Sequence, residues 1–168
     1  YDCEGNITAQ IGDIMEGGYL FYIDETGQHG LVAAIEDLEG TYEWGCYGTS
    51  VSGADGESIG TGLQNTLDIV SGCSDTPIAA GEALAYVSDG YDDWYLPSKY
   101  ELVEIYDTIG QGSVCCNIGS FENSWYWSSS EGVSDPYDHA CYIDFGNGSI
   151  GDNRSKYDSS FVRPIRSF

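Results

Sequence analysis

The sequence is poor in positive charge: five Lys and Arg stand against 28 Asp and Glu in 168 residues, for a formal charge of -23. Such a surface repels phosphate backbones, anionic lipid and sulfated polysaccharide, so nucleic acid and heparin-like ligands are not expected. It favours neutral glycans, cations and basic partners. It also serves solubility alone, because a Debye length of about 8 Å in a saline exterior screens most self-repulsion. Histidine is scarce too. His29 and His139 lie far apart and there is no Cys-x-x-Cys, which removes the usual basis for a zinc site. Long apolar runs are missing: residues 30–35 are the longest, against the roughly 20 a spanning helix needs. No direct membrane insertion is expected, and any anchor must lie outside this segment. Neither an internal repeat nor a low-complexity linker appears. No Ser-His-Asp, Cys-His or paired-carboxylate constellation is selected by spacing, so the expectation is a non-enzyme.

What the chain does have is aromatic mass, with 14 Tyr and 4 Trp in a composition that is 41% hydrophobic. That is enough for one cored domain and unlike a disordered acidic tail. Six cysteines (Cys3, Cys46, Cys73, Cys115, Cys116, Cys141) form an even set without metal spacing. Disulfides, and hence an oxidising and secreted location, are the natural reading. Six cysteines allow 15 pairings. Cys46 with Cys73 would close a Gly-rich loop onto the first helix, and Cys3, Cys115, Cys116 and Cys141 remain unassigned.

Local patterns place the elements. The apolar runs 18–23 and 30–35, separated by Asp24-Glu25-Thr26-Gly27, predict a β-hairpin. Residues 47–61 are Gly-, Ser- and Asp-rich and read as a surface loop. Leu63, Leu67 and Val70 have helical spacing, and residues 79–87 form a second short helix. Ser98-Lys99-Tyr100-Glu101 is a capping box that opens a third helix with Leu102, Ile105 and Tyr106 as its buried stripe. From Trp125 onward the pattern is β. Residues 140–145 alternate, Asn147-Gly148 marks a tight turn, and residues 160–165 close the chain as a strand. Helices in the middle with β pairs at both ends predict an α+β domain.

Six segments in order then carry a resemblance over nearly the whole chain: GGYLFYID (17–24), TGQHGLVAA (26–34), WGCYG (44–48), DWYLPSKYEL (93–102), YWSSSE (126–131) and VRPIRSF (162–168). The sequence resembles the bacterial surface-domain family of the C-terminal domain of the Legionella collagen-like adhesin. The resemblance implies a disulfide-stapled C-type-lectin-like fold, related to formylglycine-generating enzymes and retroelement variable proteins. Two or three helices occupy its middle, and its terminal strands pair, which would set residues 19–23 beside 161–166. Residues 1–10 are then an N-terminal extension and 11–168 the domain.

Carried over by position from the variable proteins, the ligand surface would comprise Trp125, Tyr126, Tyr142, Asn147, Asn153, Arg154, Tyr157 and Asp158. Trp94 and Trp127 are expected in the core, and the alternation Trp125-Tyr126-Trp127 leaves at least one aromatic facing out. Calcium is the cofactor to consider, with Asp135, Asp138 and Asp152, or Asp89, Asp92 and Asp93, as oxygen donors. EF-hand spacing and the Glu-Pro-Asn and Trp-Asn-Asp lectin signatures are missing. The leading expectation is an extracellular adhesion domain for a glycan or surface protein. The alternative is a self-assembling subunit of a surface appendage or filament, a homo-oligomer in which residues 1–10 pair with a neighbour. A third reading, an oxidoreductase like the fold's enzymatic relatives, requires a reactive thiol at Cys115 or Cys116.

Overall fold

The computed structural model describes every residue from Tyr1 to Phe168 and shows an α+β domain consistent with the C-type-lectin-like fold. Gly18–Ile23 (β2) and Gly30–Ala34 (β3) form the expected antiparallel hairpin around residues 24–27. The short strand Ile14–Met15 (β1) covers the outer edge of β2. The last strand, Ile165–Ser167 (β9), therefore pairs with β3 (Val32 opposite Arg166) and not with residues 19–23 as the resemblance implied. Its start also falls later than residue 160. Pro164 has no N–H to give a ladder, so it meets the hairpin through its carbonyl, which accepts from the Ala34 amide at 2.8 Å, while Phe161 bonds Trp125 O and the Trp127 amide.

Three helices follow the hairpin: Gly62–Gly72 (α1), Ala79–Ala85 (α2) and Lys99–Thr108 (α3). In α1 the apolar positions Leu63, Leu67 and Val70 face solvent, while Gly62, Asn65, Thr66 and Ile69 face inward. Polar bonding decides this orientation. Asn65 donates to Gly56 O at 2.6 Å and to Ser129 Oγ at 3.2 Å, and the Thr66 hydroxyl accepts from the Leu96 amide at 3.1 Å. The α3 capping box is complete. Ser98 accepts from the Glu101 amide, and the buried Glu101 carboxylate accepts from the amides of Ser98 (2.7 Å) and Gly60 (2.8 Å). Burial pushes the Glu101 carboxyl above its ordinary range despite these bonds.

The C-terminal sheet comprises Trp125–Glu131 (β5), His139–Asp144 (β6) and Ser149–Ser155 (β7), in sequence order and antiparallel. A small pair, Tyr42–Glu43 (β4) with Ser159–Ser160 (β8), flanks it. Strand β5 is buried on both faces beyond Trp125, because it stands between two cores, whereas β7 is half-buried to exposed. Tyr126, Ile143 and Phe145 pack with Leu102 and Ile105 of α3 on one side. Trp127 and Ala140 pack with Trp44, Ile69 and the α2 alanines on the other. Trp94 anchors a third cluster with Leu20, Val32 and Ala34. Residues 1–10 lie against their own chain, with the Ile7 amide donating to Gly27 O at 2.7 Å and Tyr1 edge-on to Phe168.

All five cations are used internally. Lys99 meets Glu57, Arg154 meets Asp158, Lys156 meets Glu131, Arg163 meets Asp37 and Arg166 meets Asp93. Removing the cap hydroxyl (Ser98→Ala) should cost about 1 kcal/mol. Glu101→Ala should cost more, about 2–3 kcal/mol, because it orphans the buried Ser98 amide and removes the partner of the Gly60 amide; urea unfolding followed by tryptophan fluorescence measures both. The Arg166 guanidinium, hydrogen-bonded to Asp93, holds that carboxyl below the usual carboxylate range. Its stabilisation is complete above the unfolded value of about 3.9 and is lost as pH falls through the lower native value. The stability deficit of Asp93→Asn should therefore be present at about pH 7 and shrink below about pH 3. A pH-independent deficit would refute this coupling.

Candidate binding face

Three loops converge at one end of the C-terminal sheet, and one buried cation holds them. Lys156, fully buried, donates to Thr49 O (2.8 Å), Pro136 O (2.7 Å) and Glu131 Oε1 (2.6 Å), and its ammonium lies 4.5 Å from the Trp44 ring centroid. Glu131, at the end of β5, also accepts from the Val51 amide (2.6 Å) and the Ser50 hydroxyl (3.1 Å). Burial lowers the Lys156 pKa, and the bond to Glu131 opposes that shift. The disulfide Cys46–Cys73 fastens the first loop to the end of α1, as expected, with Cα atoms 5.6 Å apart. The Cys46 amide donates to Asp75 Oδ2 at 2.8 Å. Cys46, Cys73 and Asp75 are the group whose donor atoms converge closely enough for a metal, but their sulfurs are joined to each other and are not thiolates.

The exposed aromatics form two contact groups, one around Trp125 at the start of β5 and one, Tyr157 with Tyr47, on the anchored loops. Trp125 is 44% exposed although Trp127, two residues on, is buried, because Trp125 stands at the open end of β5. The Arg154 guanidinium sits 3.9 Å from the Trp125 ring centroid, and Tyr142 meets that ring edge-on at 6.5 Å. Tyr142 in turn lies over Gly151, where any Cβ would collide with the phenol ring. Arg154 is fixed by Ser160 Oγ (2.7 Å) and Ser159 O (3.0 Å) and lies 3.9 Å from Asp158. Next in the chain is Tyr157, 69% exposed, whose ring meets that of Tyr47 edge-on at 6.3 Å. Tyr137, also exposed, is on the neighbouring loop and accepts the Gly48 amide at its carbonyl.

The structure thus brings Trp125, Tyr142 and Arg154 into contact with Asp158 beside Arg154, while Tyr157 meets Tyr47 instead. Asn153 is exposed on the same strand. Tyr126 does not belong to this surface. It is fully buried on the opposite face of β5, where its hydroxyl donates to Asp37 at 2.6 Å and accepts from the Glu122 amide at 2.8 Å. Asn147 is consumed by its own hairpin turn, bonding to Asp144 and to the Ser149 amide. Among the acids considered for calcium, Asp93 is taken by Arg166, and Asp152 accepts from the Ser134 amide at 3.4 Å. Asp135 lies 3.7 Å from His139, and the Asp138 backbone carbonyl accepts the Lys156 amide at 2.9 Å. Asp135, Asp138 and Asp152 belong to adjacent segments without converging on one point. Sequence reasoning missed Tyr47, Tyr137 and the Lys156–Glu131 anchor. The available signal was the rarity of Lys in so acidic a chain.

The family model described as the Lcl C-terminal domain matches residues 35–166, and no curated protein matches the chain. No helix is long and apolar enough to cross a membrane. Removing one partner of the buried pair should strand a charge and cost about 3–5 kcal/mol. Lys156→Met and Glu131→Gln should each lower the urea midpoint accordingly and open residues 46–51 and 132–138 to protease. Unchanged midpoints would show that the loops are held by other contacts.

Proposed function

Because the chain belongs to the Lcl C-terminal domain family of bacterial surface domains, we propose that it is an extracellular adhesion domain that binds a neutral glycan or a protein surface. The observation that carries this reading is the exposed Trp125, packed against Arg154 and Tyr142, with a second exposed aromatic pair, Tyr157 and Tyr47, just beyond the end of β7. Rigid aromatic rings lose little entropy on binding and offer flat faces to sugar C–H groups or to a partner's side chains. Neutral ligands are favoured over anionic polysaccharide because every Lys and Arg is already paired with an acid.

A second reading, self-assembly in a surface appendage, draws on the solvent-facing stripe Leu63, Leu67 and Val70 of α1. A glycan array probed in calcium and again in EDTA separates the possibilities. Trp125→Ala or Tyr157→Ala should weaken binding at least about tenfold, equivalent to about 1.4 kcal/mol. Binding abolished by EDTA would add calcium to the site, with Asp135, Asp138 and Asp152 as the donors to mutate. Full binding by both aromatic variants would refute the assignment. Absent glycan binding, with association that is lost in Leu67→Asp, would favour assembly.

A further inference from the structure

The loop between α3 and β5 carries Cys115 and Cys116, both exposed and both outside the disulfide. They are neighbours in the chain, one peptide bond apart. A tight turn fixes the pair: the Cys116 amide donates to Ser113 Oγ at 3.1 Å, and that hydroxyl donates to the Cys116 carbonyl at 2.6 Å. Other partners are poorly placed. Cys46 and Cys73 are joined, and Cys141 is fully buried in β6, its thiol pushed up to about 12 by burial and directed at Glu131 O. Cys3 lies in an N-terminal turn closed on the Asp2 carboxylate.

We propose that Cys115 and Cys116 form a reversible modification site, closing into a disulfide between adjacent residues by exchange with low-molecular-weight disulfides outside the cell. One cysteine thiolate attacks a sulfur of the small disulfide, whose S–S bond breaks to release one small thiolate. The neighbouring thiolate then attacks the protein sulfur of the mixed disulfide and expels the second. The two cysteines are oxidised, the small disulfide is reduced to two small thiols, and the two protons given up by the cysteines end on those thiols. Adjacent Cα atoms across a trans peptide are about 3.8 Å apart. Relaxed disulfides span about 4.4–6.8 Å, a range that includes the 5.6 Å of Cys46–Cys73. The adjacent-residue ring is therefore strained and exposed, which makes it the easier of the two to reduce. The ring acts on the loop whose far end is fixed by Arg163, which donates to Gly119 O at 3.0 Å.

The test is a thiol map. Protein is incubated with oxidised glutathione, quenched with iodoacetamide, cleaved at acidic residues and analysed by mass spectrometry. The expected product is an unalkylated peptide containing both cysteines, lighter by the hydrogens lost on closure and joined to no second peptide. On titration with dithiothreitol, this peptide should become alkylated before Cys46 and Cys73 do. In Cys116→Ser, Cys115 should be found either alkylated or carrying one glutathione. Linkage to Cys3 or to a second copy, alkylation of both thiols after glutathione, or opening after Cys46–Cys73 would each overturn the proposal.

Discussion

Lys156 has all three of its ammonium hydrogens committed, to a carboxylate and to two backbone carbonyls from different loops. Burying this charge with its partner Glu131 costs several kcal/mol of solvation per ion, which the pair and its hydrogen bonds must offset together. Neither ion is tolerable without the other, so the three loops that supply the remaining bonds are fixed by the same event. Tyr47, Tyr137 and Tyr157 stand on those loops and are placed by the same anchor. Arg163 repeats the arrangement elsewhere, bonding Asp37, Ala34 O and Gly119 O, and Arg166 ties the last strand to Asp93 and Glu16. With its cations consumed in this way, the chain presents a surface that is almost uniformly anionic. The scarcity of positive charge thus shapes both the interior and the choice of ligand.

The second organising feature is a strand, β5, with a core on each side. Alternation along β5 sends Tyr126 to the α3 side and Trp127 to the α1–α2 side. Ser128, Ser129 and Ser130 follow as small, fully buried residues whose hydroxyls bond Cys141 O of β6, the Asn65 amide group of α1 and Gly56 O of the preceding loop. Trp125 lies beyond the end of that cover. Its exposure is the consequence of a strand that outlasts its core, and Arg154 and Tyr142 pack against its ring.

Much of this was legible in the sequence where the signal is local. The capping box at Ser98 and Glu101, the hairpin around Asp24–Gly27, the core positions of Trp94 and Trp127 and the Cys46–Cys73 bridge all follow from neighbours or spacing. Tertiary partners account for the failures. The apolar stripe of α1 faces solvent because Asn65 and Thr66 find polar partners remote in sequence, the Ser129 hydroxyl and the Leu96 backbone. The last strand joins β3 because β1 has already taken the free edge of β2. Tyr126 left the expected ligand surface because Asp37, 89 residues away, supplies the acceptor its hydroxyl needs once buried. The Lys156–Glu131 contact joins residues separated by 25 positions, which no local pattern encodes.

Native-state hydrogen exchange under graded urea addresses the claim that one buried ion pair unites the loops beneath the aromatic face. If it does, amides in residues 46–51, 132–138 and 155–158 should open with a common free energy and a common urea dependence, as one cooperative unit. Loops that exchange independently, each with its own opening energy, would contradict the account.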